Sequence, residues 1–256
     1  MLRIENLTMK FGGVVACSEF SAEVKKGQIV GLIGPNGAGK TTVFNVITGV
    51  YKPTEGRITF EPREGEVHEL VGLSPDRIAK LGICRTFQNI RLFGQLSVLD
   101  NVFIGSHLRL KSNVFSSVVR LPHYVKEEKE IYETSLYLLE KIGLQDFRDE
   151  KASSLPYGMQ RRLEMARALA TDPKLLLLDE PAAGMNPQET MELIEFIQDI
   201  KEEFGLTIFL IEHHMEVVME ISEHIYVLDH GVLIAEGSPG EVQRNAKVIE
   251  AYLGVG

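Results

Sequence analysis

Residues 34 to 41 read Gly-Pro-Asn-Gly-Ala-Gly-Lys-Thr and follow directly on the apolar run Ile29-Val30-Gly31-Leu32-Ile33. The spacing Gly-x-x-x-x-Gly-Lys-Thr, entered from a strand and leaving into a helix, is that of a phosphate cradle. Gly34, Gly37 and Gly39 reach backbone angles closed to other residues, so successive N–H groups can turn onto an anion. Pro35, Asn36 and Ala38 complete the loop, and Thr42 follows it. A helix over about residues 41–48, stopped near Gly49, aims its positive end at the same point. Lys40 supplies a mobile charge for the β- and γ-phosphates, and Thr41 a hydroxyl for Mg2+. A glycine-rich turn before an ordinary helix is the competing reading; the strand in front disfavours it. The chemistry expected here is binding of a nucleoside triphosphate.

A second phosphate-site element is Leu175-Leu176-Leu177-Leu178-Asp179-Glu180. A buried strand that ends in a carboxylate delivers it beside the loop that follows a neighbouring strand. Asp179 is then placed to hold Mg2+, through water. Glu180 faces the γ-phosphate as general base for an attacking water. His213 and His214 stand together at another strand end, but neighbours on an extended segment point to opposite faces and share one ion poorly.

These groups need a rigid frame, and the remaining pattern supplies one. The 256 residues suffice for a sizeable core, and 44% apolar with 25% charged residues is ordinary for a globular chain. A net charge of −9 argues against nucleic acid as the partner. Met1 to Met9 alternates like a half-exposed strand rather than a signal segment, and no apolar stretch approaches the ~18 residues of a membrane span. Cys17 and Cys84 stand alone and read as free thiols. Strands are expected over residues 2–9, about 19–24, 28–33, 57–60, 175–179 and 206–211, with a hairpin over 224–236. Continuous apolar runs among these mark strands covered on both faces. From about 89 to 172 the periodicity is helical. Residues 105–125 read as a loop-rich excursion, either near a partner or simply variable, and 126–130 as a solvated helix start. The fold class is α/β: one domain over 1–256 with a helical insertion at about 89–172 and a tail at about 231–256.

Within that insertion lies Ser154-Leu155-Pro156-Tyr157-Gly158-Met159-Gln160-Arg161-Arg162-Leu163. The stretch resembles the signature sequence of the ATP-binding cassette family. Gln88 after Arg85-Thr86-Phe87, Ala182-Ala183-Gly184 after Glu180, and His213 complete that family's motifs in order. The wording of residues 85–93 and 155–164 is similar to the cytoplasmic ATPase subunits of branched-chain amino acid importers. The resemblance implies a P-loop NTPase (RecA-like) core with an antiparallel β subdomain and an inserted helical subdomain. It implies two cassettes, identical or related, sandwiching ATP and Mg2+ between the P-loop of one and residues 155–160 of the other. Gln88 then touches Mg2+ and the attacking water, His213 touches the γ-phosphate and orients Glu180, and Phe11 stacks on adenine; by itself Phe11 reads more readily as core than as a base platform. The implied partners are polytopic permease subunits and, indirectly, a substrate-binding protein, with the chain peripheral on the cytoplasmic membrane face. A soluble mechanical or DNA-handling ATPase of the same family, or a transporter with other cargo, remains the alternative.

The signature stretch departs from its commonest form. Pro156 and Tyr157 stand where Ser and Gly are usual and Met159 replaces a polar residue; outside the stretch, His214 follows His213 where an Asp is usual. Proline offers neither hydroxyl nor N–H, so one expected phosphate donor is missing, while Gly158 and its helix remain. Pro156→Ser is therefore expected to keep or raise ATP turnover; a collapse in steady-state turnover would show that this loop is misaligned.

Overall fold

Four consecutive leucines leave a strand no solvent face. In the computed structural model, which describes residues 1–106 and 122–253, that strand lies inside a six-stranded sheet. The chain divides into two compact units, residues 1–88 with 174–256 and residues 89–173.

The first unit opens with β1 (Leu2–Phe11), β2 (Val14–Val24) and β3 (Ile29–Ile33). The helix α1 (Lys40–Ile47) and the strands β4 (Glu55–Phe60) and β5 (His68–Glu69) follow. After α2 (Pro75–Lys80) and β6 (Ile83–Arg85) the chain leaves this unit. It returns in β7 (Leu175–Asp179), β8 (Thr207–Ile211), β9 (His224–Asp229) and β10 (Val232–Gly237). One sheet runs β2-β1-β4-β5, antiparallel throughout; the other runs β10-β9-β3-β8-β7-β6, parallel except for β10. Every residue of β3, β7 and β8 is buried, as their unbroken apolar runs require. Because β6, β7, β3 and β8 are parallel, their carboxyl ends share one edge, the usual ligand edge of an open α/β sheet.

The first hairpin is longer than the alternation predicts. Its strands pair from Leu2 opposite Val24 to Phe11 opposite Val14, closed by Gly12-Gly13. Register shifts between Ile4 and Lys10, with Asn6 and Glu19 at positive φ, break the two-residue period that a sequence reading relies on. Phe20, Phe44, Phe60 and Phe209 fill the core of this unit, the Phe44 and Phe209 rings 5.2 Å apart. The Tyr226 hydroxyl accepts from the Glu23 N–H at 2.9 Å and lies 3.2 Å from the Glu23 carbonyl, fastening β9 to the antiparallel sheet.

The second unit contains α3 (Val98–Ser106), α4 (Pro122–Lys141) and α5 (Tyr157–Leu169). Val98, Val102, Leu138, Leu139, Leu163 and Ala166 are among its buried apolar positions. Of the expected 105–125 loop, residues 107–121 lie outside the described residues. Residues 105–106 end α3, and 122–125 begin α4 rather than continuing a loop. Pro122 suits a first helical turn, where its missing N–H has no partner to lose. Helix α4 thus starts before the charged run 126–130, whose solvated side carries the Lys126–Glu130 and Lys129–Glu133 pairs at 3.8 and 3.6 Å.

Back in the first unit, α6 (Pro187–Phe204) carries a reciprocal cap between Asn186 and Glu189 and ends on Gly205 at φ 60°. The short α7 (Met215–Ile221) follows β8, and α8 (Pro239–Gln243) and α9 (Ala246–Leu253) follow β10. Among the described residues no helix is long and apolar enough to cross a membrane.

Neither Cys17 nor Cys84 is in a disulfide. Cys17 is wholly enclosed, its thiol 3.6 Å from the Leu7 carbonyl, and burial pushes its pKa up to about 11. The thiolate, the reactive form, is therefore scarce at pH 8. A thiol reagent at that pH should spare Cys17 in the native chain and modify it only on unfolding; prompt native modification of both thiols would contradict this.

Candidate functional site

The loop from Gly34 to Thr42 occupies the carboxyl end of β3, and two glycines there could be nothing else. A Cβ on Gly34, at φ 150°, would lie 2.0 Å from the Leu228 carbonyl oxygen. One on Gly39, at φ 100°, would lie 2.3 Å from that of Ala16. The loop is thereby pressed against β9 on one side and β2 on the other. Gly39 also opens α1, so the helix N-terminus faces the loop's concavity. Lys40 is buried, and its ammonium donates to the Gly34 carbonyl at 2.7 Å and the Pro35 carbonyl at 2.9 Å. Burial lowers its pKa, against the opposing pull of Glu180 and Asp179.

A cleft of about 490 Å³ lies over this loop, lined by Asn36 to Thr42 together with Ala16, Gln88, Glu180 and His213. Its volume is in the range of small-ligand sites. Glu180 takes φ 46° at the end of β7, an angle that costs a side-chain-bearing residue on the order of 1 kcal/mol, and its N–H donates to the Ile211 carbonyl at 2.8 Å. The strand end thus turns a carboxylate into the cleft. Gln88 Nε2 donates to Glu180 Oε2 at 2.6 Å, and His213 Nδ1 lies 3.6 Å from the same oxygen. An amide, a carboxylate and an imidazole from three different strand ends therefore converge on one point above the phosphate loop.

Not every residue singled out in the sequence lines the cleft. Gly34 and Pro35 serve it through the carbonyls that hold Lys40. Asp179 is buried behind it, paired with Arg85. Phe11 is 41% exposed and meets Tyr51 edge to face at 5.1 Å, in the first hairpin rather than the core. His214 meets His213 edge to face with ring centroids 4.4 Å apart, so the two imidazoles are not parted onto opposite faces as an extended segment would place them; among the described residues no cluster of three His, Cys, Asp or Glu could hold a metal. In the second unit, α5 begins at Tyr157, with Pro156 as its cap and Gln160 Nε2 donating to the Leu155 carbonyl at 2.8 Å. Arg161, fully buried, pairs with Glu164 at 2.8 Å and reaches the Tyr157 hydroxyl at 3.3 Å, while Glu164 also accepts from the Arg91 N–H at 3.1 Å. Tyr157 thus has a specific support where a glycine is usual.

The sequence reading missed Ala16 and Glu212. Ala16 sits mid-strand and carries no chemical label. Glu212 is wholly buried, and its carboxylate accepts from the backbone N–H groups of Ala182, His213 and His214 at 2.7, 2.9 and 3.1 Å. It fixes the turn after Glu180 and the segment carrying His213 to each other. A charged residue closing an apolar strand just before two histidines was the available signal.

A phosphate loop at the edge of a doubly covered parallel sheet defines a P-loop NTPase fold. The family model described as ABC transporter matches residues 17–183, and one described as Branched-chain amino acid ATP-binding cassette transporter matches residues 232–256. The high-affinity branched-chain amino acid transport ATP-binding protein LivG of Salmonella typhimurium is 46% identical over 254 residues, 99% of this chain and 98% of that protein. BraF of Pseudomonas aeruginosa, of the same description, is 44% identical over equal shares. The ADP conformation of MJ1267, an ATP-binding cassette of an ABC transporter, superposes with TM-score 0.85 at 34% identity over 99% of this chain and 98% of that one. The chain belongs to the ATP-binding cassette transporter family.

Glu212→Gln puts an amide NH2 against backbone N–H groups. It should cost roughly 2 kcal/mol of stability in chemical denaturation and lower ATP turnover with it; unchanged values for both would show that Glu212 does not hold these segments.

Proposed function

We propose that this chain is the ATP-hydrolysing subunit of a membrane importer for branched-chain amino acids. The observation that carries the reading is the convergence of Gln88, Glu180 and His213 above the phosphate loop, in a chain whose full-length relatives bear branched-chain amino acid transport names. Asn36 to Thr42 take the triphosphate on their N–H groups. Lys40 exchanges the Gly34 and Pro35 carbonyls for phosphate oxygens, so the loop is already in shape when the ligand arrives. Phe11 offers an exposed ring to the base.

The oxygen donors suit a hard divalent cation: the Thr41 hydroxyl and the Gln88 amide at the cleft, with the Asp179 carboxylate behind. Mg2+, when bound there, neutralises charge on the β- and γ-phosphates. Glu180 accepts a proton from the water whose oxygen attacks the γ-phosphorus; the bond to the bridging oxygen breaks, leaving ADP and phosphate. His213 holds the Glu180 carboxylate in line, and Gln88 holds it from the other side. Residues 155–160 present the N-terminus of α5 to the γ-phosphate of a second cassette, identical or related.

ATP bound across two cassettes favours their closed state, and closure is the work delivered to polytopic permease subunits. The chain acts as one nucleotide-binding domain with the helical insert and the C-terminal tail, peripheral on the cytoplasmic membrane face. A substrate-binding protein feeds the permease, so cargo does not meet this chain. The acidic balance disfavours a DNA-handling role.

Glu180→Gln should keep ATP affinity, lose at least ~100-fold in turnover and trap an ATP-bound dimer on size exclusion. In cells lacking the chain, the wild type should restore uptake of radiolabelled leucine and Glu180→Gln should not. Turnover or uptake restored by that variant would overturn the reading.

A further inference from the structure

Arg85 ends β6, and its guanidinium is buried in the first unit. One Nη lies 2.5 Å from Asp179 Oδ2, the two side chains each only 7% exposed, and the other donates to Asn45 Oδ1 at 2.7 Å. Its carbon lies 5.6 Å from the Phe44 ring centre and 5.2 Å from that of Phe87. As a contribution to stability this arrangement is poor, since the cost of desolvating a buried pair often cancels its Coulomb gain. As a ruler it is good. A guanidinium is a rigid planar fork, so it sets Asp179 and Asn45 in fixed relation. Asn45 lies one helical turn after Thr41 on α1, on the same face. Phe87 is the neighbour of Gln88. A single side chain therefore links the supports of all three oxygen donors assigned to Mg2+, although it does not line the cleft itself.

We propose that Arg85 is a positioning residue that sets the spacing of Thr41, Asp179 and Gln88 for Mg2+-bound triphosphate. This rests on the assignment of Mg2+ to those residues. It differs from a purely structural role in one respect. A structural prop, when weakened, lowers affinity for nucleotide with and without the metal alike. A residue that spaces the metal's oxygen donors lowers affinity only when the metal is present.

The test is calorimetric titration of the full-length chain with the slowly hydrolysed analogue AMP-PNP, in excess Mg2+ and in EDTA. Arg85→Lys keeps the charge and loses the fork. It should bind the analogue about tenfold more weakly in Mg2+ and change by less than about threefold in EDTA. Asn45→Ala, which removes one anchor and leaves the ion pair, should weaken binding in the same selective way and carries the test where Arg85→Lys does not fold. In ATP turnover, Arg85→Lys should raise the Mg2+ concentration needed for half-maximal rate. Equal losses in Mg2+ and EDTA, or no loss in either, overturn the proposal while leaving the magnesium site standing. A wild-type chain that binds the analogue equally with and without Mg2+ overturns both.

Discussion

A triphosphate carries more negative charge than any one side chain can offset, so a site for it must be built from backbone donors whose directions are set before the ligand arrives. That constraint governs this structure. The loop from Gly34 to Thr42 is held on the sides away from the cleft. Gly34 and Gly39 touch neighbouring backbone where no side chain fits. The Ala38 carbonyl accepts from the Gly231 N–H at 3.0 Å, and the Gly231 carbonyl accepts from the Ser18 N–H at 2.8 Å. The turn between β9 and β10 therefore closes like a clasp on the loop and on β2. Lys40 ties the remaining side by bonding the loop's own carbonyls. Electrostatic preorganisation of this kind costs no rearrangement at the moment of reaction.

The parallel sheet gathers side chains from several strand ends around one held loop. Strands that run the same way end at the same edge, so β6, β7 and β8 deliver Gln88, Glu180 and His213 to the place where β3 delivers the phosphate loop. The fit there depends on groups that never face the cleft. Glu212 binds three backbone N–H groups and locks the Glu180 turn to the His213 segment. Arg85 joins the end of β7 to α1. Buried charge that would be a liability in an ordinary core is retained where it fixes geometry.

Much of this was legible in the sequence because it rests on local rules. Glycine spacing marks the phosphate loop, unbroken apolar runs mark β3, β7 and β8, and a carboxylate pair after four leucines marks the second half of the site. What escaped depends on contacts distant in sequence. The first hairpin hid its length because bulges at Asn6 and Glu19 break the alternation. The Gly-, Ser- and Pro-containing stretch before Lys126 read as loop, yet Pro122 opens a helix. Ala16 gains its place only from the approach of β2 to Gly39. Arg85 and Glu212 look like ordinary charges until the sheet brings partners from positions far away in the chain. The contact between Arg161 and Tyr157, only one helical turn apart, gives the departure in the signature stretch a partner that pattern alone left open.

Nucleotide chemistry at this loop is proposed to serve a membrane subunit. The most direct measurement is purification of the tagged chain from gently detergent-solubilised membranes, with its stoichiometric partners identified by mass spectrometry. Polytopic permease subunits together with a second cassette are the expected partners. Recovery of soluble or chromatin-associated partners alone would contradict this role and leave an ATPase whose work is done elsewhere.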